Sequence, residues 1–438
     1  MDSKVISKKK KTLIIFGGVI ILLVIIATIF INKIFNGVTN SLTISSSNRN
    51  EKWTKDIEFL KDELPKKHKN LFFYKSKEEF DEDMDRLLKN ISNYTDEKIK
   101  GELVKIIVSI NDSHTSVKFD NTKLYPIRFF EFEDGVYLID GALEYKDYWG
   151  NKLIAINGYT VEEAREMIKT YVAKDNKAIF KDEFSRVLRN FDLLTFSGLT
   201  FSGLIDSEEI TYTFTDGEIT VKALSYEEIN NTQFISQCNL INDFPISKQN
   251  AYDMYWFKYM EDEDVVYVKY NSCSNMKGYS FKDFTKDVFE VVDKNNPDKL
   301  IIDLRDNGGG NSLIFNSFLK AIKQRKDINK DGKIYAIIGR KTFSSAILNA
   351  MDLRNETNAI LVGEATGGQP NHFGEVKEIH LSNTNINVYY SSNYFKTTSE
   401  EIDSIYPDKE VMLKASSFFE GKDDFLEFII NGNLLSDS

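Results

Sequence analysis

Cysteine, proline and histidine are all scarce in this chain, at two, six and four residues out of 438. Two cysteines rule out a disulfide scaffold. Cys238 and Cys273 could form one bridge, or remain two separate buried thiols. Neither belongs to a CxxC pair and no Cys/His cluster has zinc-ligand spacing, so no metal or other cofactor is expected. Few prolines and no Pro- or Gly-rich tract argue against long disordered segments. Basic charge is also short, with 56 Lys and Arg against 67 Asp and Glu. Lys4, Lys8, Lys9, Lys10 and Lys11 against Asp2 make the first eleven residues +4, leaving −15 for the rest of a chain whose total is −11. Nucleic acid is therefore an unlikely partner.

Long apolar runs are absent except for one. Residues 12–31 (TLIIFGGVIILLVIIATIFI) are uncharged and mostly apolar. At about 1.5 Å per residue they span roughly 30 Å, the thickness of a bilayer core. The lysines before them place the N-terminus in the cytoplasm and the bulk of the chain outside the cell membrane, as a single-pass protein. The run is longer than the apolar part of a signal peptide and no clean cleavage site follows it, which favours an uncleaved anchor.

Beyond a basic tail (1–11), this transmembrane helix (12–31) and a Ser/Asn-rich linker (32–50), three domains are expected. In 51–120, Phe80, Met84, Leu87, Leu88 and Ile91 recur at helical spacing, which gives a helical N-terminal domain. Residues 121–240 read as β-rich, with strands at 136–139 and 152–156 and a helix from Val161. Around Gly150 to Ala164, a strand ending Ile156-Asn157-Gly158 before that helix resembles part of a PDZ module. In 241–438, strands near 265–270, 300–304, 334–338 and 360–362 alternate with helical patterns, the signature of a layered α/β domain. An amphipathic helix at 424–430 closes it.

Two distant segments carry candidate chemistry. Asp112-Ser113-His114-Thr115 supplies one of the four histidines, and Lys341-Thr342-Phe343-Ser344-Ser345-Ala346 places Ser344 where a strand gives way to a helix. The partial positive charge of a helix N-terminus favours an alkoxide there, although Thr342, Ser344 and Ser345 would equally serve as helix caps. Arg305-Asp306-Asn307-Gly308-Gly309-Gly310-Asn311 follows a buried strand, and such glycines can aim backbone N–H groups at one oxyanion. The phosphate signatures GxGxxG and GxxxxGK[ST] are absent. His372 is a second-choice base in a substrate-facing loop, and His68, among lysines, reads as a surface or packing residue.

Three motifs together resemble the C-terminal processing (tail-specific) serine peptidase family: Asp303-Leu304-Arg305-x-Asn307-Gly308-Gly309-Gly310, Thr342-x-Ser344-x-Ala346 and Val362-Gly363-Glu364-x-Thr366-x-Gly368. The resemblance implies a crotonase-like α/β catalytic core, often with a PDZ-like module. The lysine of the family's Ser–Lys dyad falls on Gln369, which cannot serve as a base. The chain instead resembles the tricorn-like branch with its Ser–His–Ser–Glu tetrad. Ser113-His114 then matches the Ser-His pair, and Glu401, six residues before Pro407-Asp408, matches the glutamate. Those implied roles make Ser344 the nucleophile and His114 the base. Ser113 and Glu401 would orient the relay, with Gly308, Gly309 and Ser345 around the oxyanion. The expected function is a membrane-anchored serine endopeptidase acting outside the cell on peptides or unfolded protein, with an inactive peptide-binding protein as the alternative.

Overall fold

The computed structural model describes residues 49–120, 122–173, 175–200, 208–237 and 244–432. The expected anchor at 12–31 and Cys238 lie outside these residues. Among the described residues no helix is long and apolar enough to cross a membrane.

The described residues open with three helices, α1 (Arg49–Lys67), α2 (Lys77–Asn90) and α3 (Asp96–Val108). Ser76 and Glu79 form a capping box that fixes the start of α2, and the Thr95 side chain caps α3. Their apolar faces, with Ile57, Leu60, Phe80, Met84, Leu103 and Ile107 fully covered, meet at one core. The helices do not close that core alone. Ile379, Leu381, Ile386, Val388 and Tyr390 complete it from a hairpin far along the chain, paired to strand β1 (Ser116–Phe119).

A second core holds the middle of the chain. Strands β2 (Ile127–Phe132) and β3 (Gly135–Gly141) form one ribbon. Strands β4 (Leu153–Ile156), β5 (Tyr159–Thr160), β6 (Glu209–Phe214) and β7 (Gly217–Lys222) form an antiparallel sheet in the order β5-β4-β6-β7. Asn157 and Gly158, both with positive φ, make the tight turn between β4 and β5, and Thr160 caps helix α4 (Val161–Ile168). The strand–turn–helix read from the sequence is thus present. The β-rich reading is incomplete, because α5 (Lys177–Val187), α6 (Phe191–Ser197) and α7 (Tyr226–Asn231) also lie here.

The last portion is built on a six-stranded sheet. After β8 (Tyr255–Met260), strands β9 (Val265–Tyr270), β10 (Lys299–Asp303), β11 (Ile334–Ile338) and β12 (Ile360–Gly363) run parallel side by side. These strands read as nearly unbroken apolar runs because both faces are covered. Val266, Val268, Leu300, Ile302, Ala336 and Ile338 face α8 (Phe281–Asn295), α9 (Asn316–Lys323) and α10 (Ser345–Glu356). The alternate set, Val265, Tyr267, Ile301, Ile337 and Val362, faces the other way. The hairpin is β13 (His372–Leu381) and β14 (Ile386–Phe395). Short β15 (Lys409–Glu410) joins the sheet beside β12. The chain then runs through α11 (Ala415–Phe419) to α12 (Asp424–Asn431), which covers the second face.

Candidate active site

The carboxyl ends of β10 and β11 deliver the two motifs. After β10 the chain turns through Asn307, which is fully buried and joins the turn together. Its Oδ1 accepts the Gly309 N–H (2.9 Å), its Nδ2 donates to Tyr270 O (3.0 Å) and its carbonyl accepts the Phe343 N–H (3.0 Å). After β11, Thr342 is equally buried, with Oγ1 donating to Leu304 O (2.9 Å) and accepting the Gly339 N–H (3.0 Å). The two turns therefore lean on each other. A Cβ on Gly309 (φ +103°) would lie 2.8 Å from Ser344 Cβ and 2.9 Å from Ser345 N, so only glycine permits this approach.

Ser344 sits between them at φ 53°, ψ −126°, just ahead of α10. A non-glycine residue rarely adopts that conformation, and strain of about 1–3 kcal/mol is typical of such positions. A capping serine has extended φ and ψ and a side chain bonded to the first turn. Ser344 has neither: its φ is positive and it makes no capping hydrogen bond. Its hydroxyl is presented at the turn rather than absorbed by the helix.

Of the oxyanion candidates, the Gly309 amide is already given to Asn307 Oδ1, which corrects its expected role. Among the described residues the amides of Gly308 and Ser345 carry no such bond, and the Ser345 hydroxyl donates to Gly310 O (2.6 Å).

His114 arrives from the turn after α3. Its ring stacks on Phe343 at 4.4 Å between centroids and on His372 at 5.7 Å. The side chain is only 9% exposed, and Nε2 is buried without a hydrogen-bond partner among the described residues. The histidine is thus brought to the residue next to Ser344, but the Ser344–His114 hydrogen bond is not made. Burial, with a smaller push from His372, outweighs the Asp112 charge and lowers the His114 pKa to about 4, so the imidazole is neutral at pH 7.

Asp112 opens the Asp112-Ser113-His114-Thr115 motif. Its buried carboxylate accepts hydrogen bonds from His68 Nε2 (3.0 Å), Thr115 Oγ1 (2.6 Å) and Ser391 Oγ (2.7 Å). Burial disfavours its charge, but the bonds from His68, Ser391 and Thr115, together with His114, hold the carboxyl at about 2. His68 is therefore no surface residue. It is 5% exposed, and because the Asn70 N–H donates to its Nδ1 (3.1 Å), its Nε2 carries the proton toward Asp112.

Ser113 and Glu401 are not joined. The Ser113 amide donates to Asp175 Oδ2 (3.1 Å), and the Ser113 hydroxyl is buried without a partner among the described residues. Glu401 is exposed on a loop held by Asn371, whose Nδ2 donates to Thr398 O and Glu400 O (both 3.1 Å). Its charge is felt at Tyr74 and Tyr394. Asp175, which sequence reasoning missed, is pushed up to about 6 by burial, against the Ser113 hydrogen bond and with help from the Asp112 charge. No local pattern marks Asp175, because its environment is assembled from elsewhere.

His372 opens β13, and its Nδ1 donates to Gln369 O (2.8 Å). Gln369, which stands in place of the dyad lysine, lines a cavity of about 10 Å³ with His114 and His372. A larger cavity, about 620 Å³, runs from Asp112, Ser113, Gly308 and Phe343 to Asp175, Asp182 and Lys341. Lys341 Nζ is 3.9 Å from both Asp182 and Asp306, which places it in a charge network rather than beside Ser344. Among the described residues no group of acidic, His or Cys side chains could hold a metal ion.

With this geometry in place, the molecule is a mixed α/β protein with the fold of CPAF. Mature CPAF complexed with lactacystin matches at a TM-score of 0.60 and 14% identity, over 87% of this chain and 97% of the other. A serine-to-alanine CPAF mutant matches at 0.59 and 13% identity, over 87% and 96%. The photosystem II D1 C-terminal processing protease is a more distant likeness, at 0.40 and 10% identity, over 84% and 94%. At these identities the likeness is one of fold. No protein-family model and no curated protein matches the sequence.

Proposed function

We propose that this chain is a serine peptidase of the C-terminal processing type. It would be anchored by residues 12–31 with its bulk outside the cell, and would act on peptides or unfolded protein ends. The observation that carries the reading is Ser344: a strained, uncapped serine at a strand-to-helix turn, pressed against a glycine loop. Ser344 attacks the carbonyl carbon, His114 takes its proton and returns it to the leaving amine, and the Gly308 and Ser345 amides receive the oxyanion. The 620 Å³ cavity beside Gly308 and Phe343 would receive the substrate chain, and the edge of the PDZ-like sheet would hold its extension by strand addition.

One observation favours a second reading, a silent peptide-binding protein: the Ser344–His114 hydrogen bond is open. Such bonds often tighten only when substrate is bound. The purified full chain, treated with a fluorophosphonate probe and mapped by mass spectrometry, separates the two. Labelling of Ser344 that is lost in Ser344→Ala and falls at least about 100-fold in rate in His114→Ala is the expected result. A folded wild type that takes no label selects the binding protein.

A further inference from the structure

We propose that Asp112, rather than Glu401, is the positioning carboxylate for His114, fixing the proton on Nδ1 so that the Nε2 lone pair is the base for Ser344. This rests on the serine peptidase reading above. The two oxygens of Asp112 divide the work. Oδ2 takes the donors of His68, Thr115 and Ser391, one from the end of α1, one from its own turn and one from β14. These three bonds fix the plane of the carboxylate. Oδ1 accepts the main-chain N–H of His114 at 3.0 Å and lies 3.8 Å from Nδ1 of the same ring. A shift of about 1 Å brings that approach to an ordinary N–H···O length.

The ring is packed among aromatic neighbours: Phe343 and His372 both stack on it, with interplanar angles of 26° and 14°. The ionisable groups that line the cavity with it are Asp112 on its own turn, His372 from β13, Tyr394 from β14, Asp175 ahead of α5 and Tyr74 after α1. His372 has committed its Nδ1–H to Gln369 O, and Asp175 accepts the amide of Ser113. Among the described residues, Asp112 is the carboxylate within 4.0 Å of His114 Nδ1, at 3.8 Å. Glu401 is exposed and bonded to neither Ser113 nor His114.

In the reaction the Ser344 Oγ–H proton passes to His114 Nε2 as the Oγ–C bond forms and the carbonyl electron pair moves onto oxygen. Asp112 stabilises the imidazolium through Nδ1–H. When the tetrahedral adduct collapses, the C–N bond breaks and the Nε2 proton goes to the amine, which restores neutral His114. Asp112 itself neither gains nor loses a proton.

The first test needs no mutation at Asp112. Nitrogen-15 NMR of the histidine-labelled full chain at neutral pH, with His114 assigned by its loss in His114→Ala, is expected to show the Nδ1–H tautomer. An Nε2–H tautomer overturns the proposal whether or not the protein labels with fluorophosphonate, so its failure is distinct from failure of the peptidase reading. In Asp112→Asn the side-chain amide donates toward Nδ1 and enforces the wrong tautomer. We expect kcat/KM to fall by about 10²–10⁴-fold with KM little changed. The acid limb of the profile moves to lower pH, since the negative charge that raises the His114 pKa is gone. Ser391→Ala loosens the same carboxylate from the Oδ2 side. It should lower the melting temperature while leaving tautomer and acid limb in place, as a purely structural role of Asp112 would. A folded Asp112→Asn with the wild-type profile sinks the idea.

Discussion

At the scale of single residues, the site combines a strained serine with two carboxylates shifted in opposite directions. Replacing Ser344 with glycine removes strain of about 1–3 kcal/mol and adds an unfolded-state entropy cost of about 0.5–1 kcal/mol. The strain term wins, so Ser344→Gly should lose activity yet unfold at higher denaturant than wild type; a lower midpoint would show that the turn holds no strain. Asp175 gives a prediction in pH. Its folded pKa, about 6, is raised above the ordinary aspartate value of 3.8, so its contribution to stability is present below pH 4 and is lost as pH rises through 6. Asp175→Asn should therefore melt above wild type at pH 8 and level with it at pH 4. Equal shifts at both pH values would mean that Asp175 is not buried as its charge environment implies. Asp112 has the opposite sign, since its carboxylate stabilises the fold above pH 4 and that contribution goes as pH falls toward 2.

At the scale of elements, the hairpin β13–β14 is what the helices α1 to α3 require. Asp56 on α1 is fully buried and accepts from Asn383 Nδ2 (2.7 Å), Thr384 Oγ1 (2.7 Å) and Thr384 N (2.8 Å) in the hairpin turn. Asp56→Ala leaves those donors without their carboxylate and should cost about 2–4 kcal/mol, measured by urea unfolding. A change below 0.5 kcal/mol would mean that the apolar contacts alone seat the hairpin. Most of the α/β elements were legible from sequence because apolar runs punctuated by turns give strands buried on both faces. The hairpin carried an equally plain alternation, Ile379, Leu381, Ile386, Val388 and Tyr390, but periodicity says that a face is covered and not by what. The candidate site shows the same division. Ser344 and the glycines were readable because their chemistry is local. His68 and Asp175 were not, since each is defined by a partner from another part of the chain.

At the scale of the whole molecule, a charged layer lies under α12 on one face of the central sheet. Lys269, 1% exposed, reaches Asp306 (2.8 Å) and Asp303 (3.2 Å), and Arg305 holds Asp423 with two bonds of 2.8 and 2.9 Å. Burial alone would raise the Asp306 pKa, but Lys248, Lys269 and Lys341 outweigh it and hold the group well below the usual carboxylate range. Asp423 also caps α12, so the last helix and the glycine turn after β10 are tied through one guanidinium. Such layers add little net energy against an apolar equivalent, but breaking one leaves a stranded charge.

The closing of the first core by the hairpin also sets an order of events. Asp112 lies 279 residues from Ser391, and Asp56 lies 328 from Thr384. A nascent chain that has made its helices and the His114 turn must wait for most of the remaining length before that turn is pinned. Synthesis itself therefore acts as a timer, and a partial chain carries the histidine without the support that would make it useful. On the peptidase reading proposed above, the chain would stay harmless to the machinery that makes it until nearly the last strand is in place.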